Sequence, residues 1–269
     1  GRNFGILRAL DNLGAVVGIM ITITFVTFVL PYLNSLYGFT DLVSIRVLFM
    51  TAAIPSIIGA TLIFLRIKDY RKKPGKPVFS LEGFNRSLAL FIGISFIFSV
   101  AFFSYSFIVL YASLFFTIPV LNPLLEVTIG YLIFTLAAAL LSAPLGKLSD
   151  HIGRRGALLV GYGCFALMCL LFLLLPSTWV IALICYGATI GAAVPVQKSL
   201  VAELAPTELR ASFLGVYQLV TGFAAFFASV LAGLLWFLFS PQTPFIVSLG
   251  LTVVAALLLP FVKERKEVI

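Results

Sequence analysis

Hydropathy along this chain changes on the scale of whole helices: long apolar runs are divided by short polar or charged interruptions. Apolar runs lie near residues 5–30, 46–67, 87–115, 125–145, 156–175, 178–202, 213–239 and 243–262. Each is close to or above the roughly 20 residues that a helix needs to cross the hydrocarbon core of a bilayer. The pattern predicts eight transmembrane helices and an all-α polytopic membrane protein.

The interruptions carry the charge, and unevenly. When alternate interruptions are assigned to one side of the membrane, all but one of the 18 Lys and Arg fall together. They run from Arg2 and Arg8, through Arg66, Lys68, Arg71, Lys72, Lys73, Lys76 and Arg86, to Lys147, Arg154, Arg155, Lys198, Arg210, Lys263, Arg265 and Lys266; Arg46 alone falls opposite. Basic residues accumulate on the cytoplasmic side of membrane proteins, so both termini are expected in the cytoplasm, with the plasma membrane as the expected location. The net charge of +8 is therefore a topology signal, with anionic lipid as a partner, and no nucleic-acid partner is expected.

Composition agrees. Apolar residues make up 61% and charged residues 10%, against roughly 45–50% and 25% in soluble domains. Cys164, Cys169 and Cys185 all lie within apolar runs without paired spacing, which fits packing rather than a disulfide framework or a metal knuckle. The single histidine, His151, has no carboxylate or cysteine set around it, and no nucleophile–base constellation is present. The chain reads as a non-enzyme without a cofactor or metal.

The most specific stretch is Gly146-Lys147-Leu148-Ser149-Asp150-His151-Ile152-Gly153-Arg154-Arg155-Gly156. It reads as a short loop with turn-forming glycines at both ends, placing one carboxylate and two guanidinium groups at the membrane surface. The order G-x-L-x-D-x-x-G-R-R resembles the loop signature of the major facilitator superfamily, and Val201 to Gly215 resembles that family's link between helices ten and eleven. The resemblance covers essentially the whole chain and implies a secondary active transporter working by alternating access on a small-molecule substrate. It also implies that residues 1–67 are the last two helices of an N-terminal half, 68–85 a cytoplasmic linker, and 86–269 a C-terminal six-helix bundle. Four earlier helices would then be partners missing from this sequence. In the family, the loop aspartate meets a helix start in the opposite half, which here puts Asp150 near Phe4 to Arg8 when the cytoplasmic side is closed. Gly146, Asp150, Gly153, Arg154 and Arg155 are thus the expected conformational gate.

An internal repeat accompanies the resemblance. Setting Gly5 against Gly215 places Arg8 opposite Gln218 and Asp11 opposite Thr221. Arg8 and Asp11 are three residues apart, share a helix face and can pair. Together with Tyr105, Tyr131 and Gln218, whose polar ends need a partner or water, they are the candidate substrate or coupling path. Lys198 is expected to snorkel to the surface. Gly5, Gly14 and Gly18 resemble the first half of the antiporter signature of proton-coupled exporters, implying protons as a coupling partner. The second half departs, with Ile19 at the expected proline and Thr22 and Ile23 at a glycine pair. The other reading of these glycines is close helix packing. A structural or regulatory eight-helix protein, or an inactive transporter remnant, is the alternative function.

Overall fold

The computed structural model of the chain describes residues 2–37, 41–66, 84–115 and 123–263. Every regular element among them is helical: α1 (Arg2–Thr24), α2 (Leu30–Tyr37), α3 (Asp41–Arg66), α4 (Arg86–Ala101), α5 (Tyr105–Ser113), α6 (Pro123–Leu174), α7 (Trp179–Leu204), α8 (Arg210–Leu238) and α9 (Thr243–Leu258). Seven helical stretches are long and apolar enough to cross a bilayer. Most of the proposed linker, residues 68–83, lies outside the described residues.

The helix ends follow local chemistry. Pro31, near the start of α2, has no N–H to donate, and its ring crowds the carbonyl four residues back. A widened π turn, Phe25–Val29, lies directly before it and joins α1 to α2 as one stretch, longer than the expected 5–30. The span expected as one helix over 87–115 is instead two. Phe102 leaves helical geometry (φ −89°, ψ 68°), and the Ser104 hydroxyl accepts from the Ser106 N–H at 3.3 Å to restart the helix as α5. The break lets adjacent aromatics reach different neighbours: Phe102 stacks on Tyr186 at 5.3 Å between ring centres, and Phe103 meets Phe245 at 5.4 Å.

The stretch expected as a loop between two spans is tighter than predicted. α6 runs for 52 residues through 146–156 and leaves helical geometry only at Gly153 (φ 80°, ψ 159°), where two helices meet at a kink. L side chains avoid that φ, so one glycine does the work assigned to several. Gly146 is buried within the helix, and Gly156 is helical, where an added Cβ would lie 3.2 Å from the Ile152 side chain. The expected runs 125–145 and 156–175 are the two helices that meet at Gly153; taken together as one helical stretch, they make seven stretches where eight were predicted.

One buried apolar cluster, from Leu88 to Val262, is built entirely from α4–α9 and the short segments joining them. Its tightest crossing is α6 on α7. A Cβ at Gly187 would stand 2.3 Å from the Phe134 carbonyl oxygen, and one at Gly191 would stand 3.1 Å from the Ser142 backbone nitrogen. Small residues let backbones approach this closely, which drives helix association where lipid is as apolar as leucine. Asn85 ties the ends together: its Oδ1 accepts from the Leu88 N–H at 2.7 Å, capping α4, and its Nδ2 donates to the Leu204 carbonyl at 3.1 Å, closing α7. α1 packs on α6 and α7, burying Asn12, Val16, Ile19, Phe25 and Val26 with the π turn included. α3 packs only weakly, against α2.

Candidate functional site

The charged kink is stapled to the ends of two other helices. Arg154 Nη1 lies 2.5 Å from Glu203 Oε2 and donates to the Ser199 carbonyl at 2.7 Å, both in the last two turns of α7. Arg155 Nη1 donates to the Pro260 carbonyl at 3.3 Å, just beyond α9. Helix C-termini present carbonyls without intrahelical partners and the negative end of the dipole, so guanidinium groups suit them. The pairing of Arg154 with Glu203 was not expected from sequence, although Glu203 stands in the stretch Val201 to Gly215 that carries the family resemblance. Asp150 is exposed and takes part in an interaction of its own.

The remaining candidates line three cavities. The largest, about 730 Å³, is lined by Ala15, Gly18 and Thr22 of α1, Ala52 of α3, and Tyr105 and Tyr131, whose rings stack at 5.1 Å. The aromatic wall continues through Phe134, 4.9 Å from Tyr131 and 5.1 Å from Tyr186. A second cavity, about 340 Å³, is lined by Arg8, Asp11, Val194, Pro195 and Lys198. Here Arg8 Nη1 and Asp11 Oδ2 form the pair expected from their spacing, at 2.8 Å. A third, about 310 Å³, is lined by Gln218, Thr221, Tyr217, Gln197, Val194 and Lys198.

Lys198 therefore does more than reach for the surface. It is half-buried and borders both smaller cavities, without a hydrogen bond or ion pair among the described residues. The internal repeat acquires a spatial meaning here. Arg8 and Asp11, and their aligned counterparts Gln218 and Thr221, face two cavities that share Val194 and Lys198.

Sequence reasoning missed the polar network beside the third cavity. Tyr217 Oη donates to Gln197 Oε1 at 2.9 Å, and Gln197 Nε2 donates to Tyr162 Oη at 3.0 Å. All three side chains are buried, so the amide of Gln197 satisfies both hydroxyls in a setting where an unmet polar group is costly. The signal was available: a glutamine amide inside an apolar run must find partners.

Along α1, a Cβ at Gly14 or Gly18 would meet nothing within 4 Å, while Gly5 sits in the first turn of the helix. The close approaches measured lie at Gly161, Gly187 and Gly191 instead. Arg8, Asp11, Ala15, Gly18 and Thr22 follow one another at helical spacing and form a single cavity-facing stripe. Among the described residues no group of three His, Cys, Asp or Glu side chains comes together.

Comparison with known proteins gives a consistent result. A profile described as Major Facilitator Superfamily matches residues 1–227 and again 123–268. An uncharacterized MFS-type transporter of Methanocaldococcus jannaschii is 31% identical over 270 aligned residues, covering 97% of this chain. The chain spans 64% of that relative's length.

Proposed function

The chain belongs to the Major Facilitator Superfamily, and from that premise we propose that it is the last eight helices of a secondary active transporter moving a small solute by alternating access. The observation that carries this reading is the set of cavities lined by α1 together with α6 and α7, with tyrosines and the Arg8–Asp11 pair on their walls. Such walls suit a solute held between two helical halves that rock about it. In this reading α6, about 78 Å long if it were straight, crosses a core of about 30 Å twice, turning at Gly153. Residues 1–67 complete an N-terminal half, 68–85 are a cytoplasmic linker, and 86–269 form the C-terminal half. Both termini face the cytoplasm at the plasma membrane, and four further helices precede the first one here.

Gly146, Asp150, Gly153, Arg154 and Arg155 then act as the gate. Arg154 and Arg155 hold the kink to α7 and α9, while Asp150 binds the start of α1 in the state closed to the cytoplasm and is released on opening. Such a contact biases the equilibrium because it is made in one state only. Cysteines introduced at Phe4 and Asp150 should cross-link in the cytoplasm-closed state and separate on opening; cross-linking independent of state would remove Asp150 from the gate. Proton-coupled export is the finer proposal, with Asp11 the carboxylate nearest the cavities.

The test of transport is solute flux in proteoliposomes holding the full reading frame that contains this chain, with and without an imposed pH gradient. Flux that responds to the gradient supports coupling. Flux that ignores it removes the proton, and absence of flux across a broad panel of organic anions, cations and neutral solutes would turn the reading toward a structural or regulatory protein.

A further inference from the structure

Resting on the transporter reading, the charged and apolar cavities along α1 carry a statement about the solute. The 340 Å³ cavity holds two cationic side chains, Arg8 and Lys198, against one carboxylate, Asp11. Asp11 engages Arg8 through Nη1 alone. Arg8 Nε is buried without an acceptor, and so is Nδ2 of Asn12, one turn on and only 7% exposed. Lys198 has no partner among the described residues either. Buried donors without acceptors cost free energy, and two of them, Arg8 Nε and Asn12 Nδ2, lie one helical turn apart on α1. The cavity wall has a surplus of one positive charge and a shortage of acceptors.

The 730 Å³ cavity continues along the same stripe of α1. Asp11 and Gly18 are seven residues apart, about 10 Å along the axis. A Cβ at Gly14 or Gly18 would meet nothing within 4 Å, so α1 leaves open space beside its backbone along this interval. The walls of the larger cavity are apolar and aromatic, with Tyr105 and Tyr131 stacked face to face.

We infer that this stripe of α1 binds an amphipathic monoanion: its carboxylate or other singly charged acidic group at Arg8 and Lys198, its apolar body beside Gly18, Tyr105 and Tyr131. The acidic group supplies the acceptor that Lys198 lacks and cancels the surplus charge. The apolar body fills the larger cavity, whose tyrosine rings give it a flat surface. A cationic solute would meet the opposite balance, two like charges against one carboxylate.

Phenylacetate, phenylacetamide and phenethylammonium share a ring and a chain and differ in charge, so they serve as probes in equilibrium dialysis against the full reading frame that contains this chain, in lipid nanodiscs near neutral pH. Phenylacetate should bind at least about tenfold more tightly than either of the others, the equivalent of one charge-assisted contact. Lys198→Met, which removes no hydrogen bond or ion pair among the described residues, should cut that preference to less than about threefold and leave the amide unchanged. Tyr131→Ala should weaken acid and amide alike. The inference is overturned by equal binding of acid and amide, by preference for the ammonium, by no binding of phenylacetate up to about 10 mM, or by an acid preference that survives Lys198→Met. Acid binding of this kind without flux in proteoliposomes would sink the transport cycle and keep the subsite; flux without acid preference would do the reverse.

Discussion

Tyr162 and Phe64 are both aromatic residues in apolar helices, yet the first is fully buried and the second is 88% exposed. The difference extends to the regions around them. From Arg86 onward, α4–α9 share one core, with backbones in near contact at Gly187 and Gly191 and a buried amide–hydroxyl chain through Gln197. Before Arg66, α1 leans on α6 and α7 with few buried residues, and α3 presents most of its side chains outward. The apolar content of the two regions is alike. In lipid, apolar content does not decide burial, because hydrocarbon outside the protein is as good a solvent as a leucine core; small residues and matched polar groups decide it. α4–α9 carry such features at their contacts, and α3 does not.

The largest effect should come from attacking that difference at its closest contact. Gly187→Ala puts a Cβ 2.3 Å from the Phe134 carbonyl oxygen, where only backbone can give way. It should cost about 3 kcal/mol, the upper end for an added methyl in a packed core. Gly14→Ala and Gly18→Ala meet open space and should stay within about 0.5 kcal/mol of the parent. Unfolding midpoints of the three variants in detergent check the pair of claims. If Gly14→Ala loses as much as Gly187→Ala, α1 is packed as tightly as the core and the contrast fails.

Next in size is the staple at the kink. Arg154 and Glu203 are partly exposed, at 28% and 17%. Arg154→Gln should therefore cost about 2 kcal/mol, below the roughly 3–5 of a fully buried pair. Glu203→Gln should cost less, since Arg154 keeps the Ser199 carbonyl. The double variant should cost less than the sum of the singles, the sign of a direct pair; strict additivity would show that the two side chains act separately. Gln197→Leu strips partners from two buried hydroxyls and should cost about 1–2 kcal/mol. Adding Tyr217→Phe to Gln197→Leu should recover part of that loss, because a hydroxyl without an acceptor is removed with it.

Much of this was legible from the sequence, for reasons that name its limits. Run length reports whether a helix can span, so the apolar runs gave most ends of the helical stretches to within a few residues, the first stretch running on to Tyr37. It does not report continuity. The break at Phe102–Ser104 depends on where two aromatic rings find neighbours across the fold, and the π turn before Pro31 depends on how a lost donor is absorbed. The turn was located, but glycines at both ends of the stretch were offered for a bend that Gly153 makes alone. The spacing of Arg8 and Asp11 sufficed for their pair because both lie on one helix. Lys198 was assigned to the surface, and Gln197 and Glu203 escaped notice, because the cavities and partners they meet involve other helices. The internal repeat was the exception, since it related positions on distant helices and those positions now face cavities with a shared wall.

The smallest effect tests the outward face of α3. Phe64, Leu65, Ile57 and Phe49 are more than half exposed, and Phe64→Ala removes a ring that touches little in this chain. Within the chain the change should lie below about 0.5 kcal/mol, in line with substitutions away from packed features. The same substitution in the full reading frame that contains the chain distinguishes two uses of that face. If α3 borders lipid there too, the effect stays near zero, because ring and methyl differ little in a medium that solvates both. If a further helix covers it, the ring leaves a cavity behind, and the cost rises to about 3 kcal/mol or more, as for a buried Phe→Ala. A rise confined to the longer protein would mean that the sparse packing before Arg66 belongs to this stretch of sequence taken alone. No rise would make it a property of the helix itself.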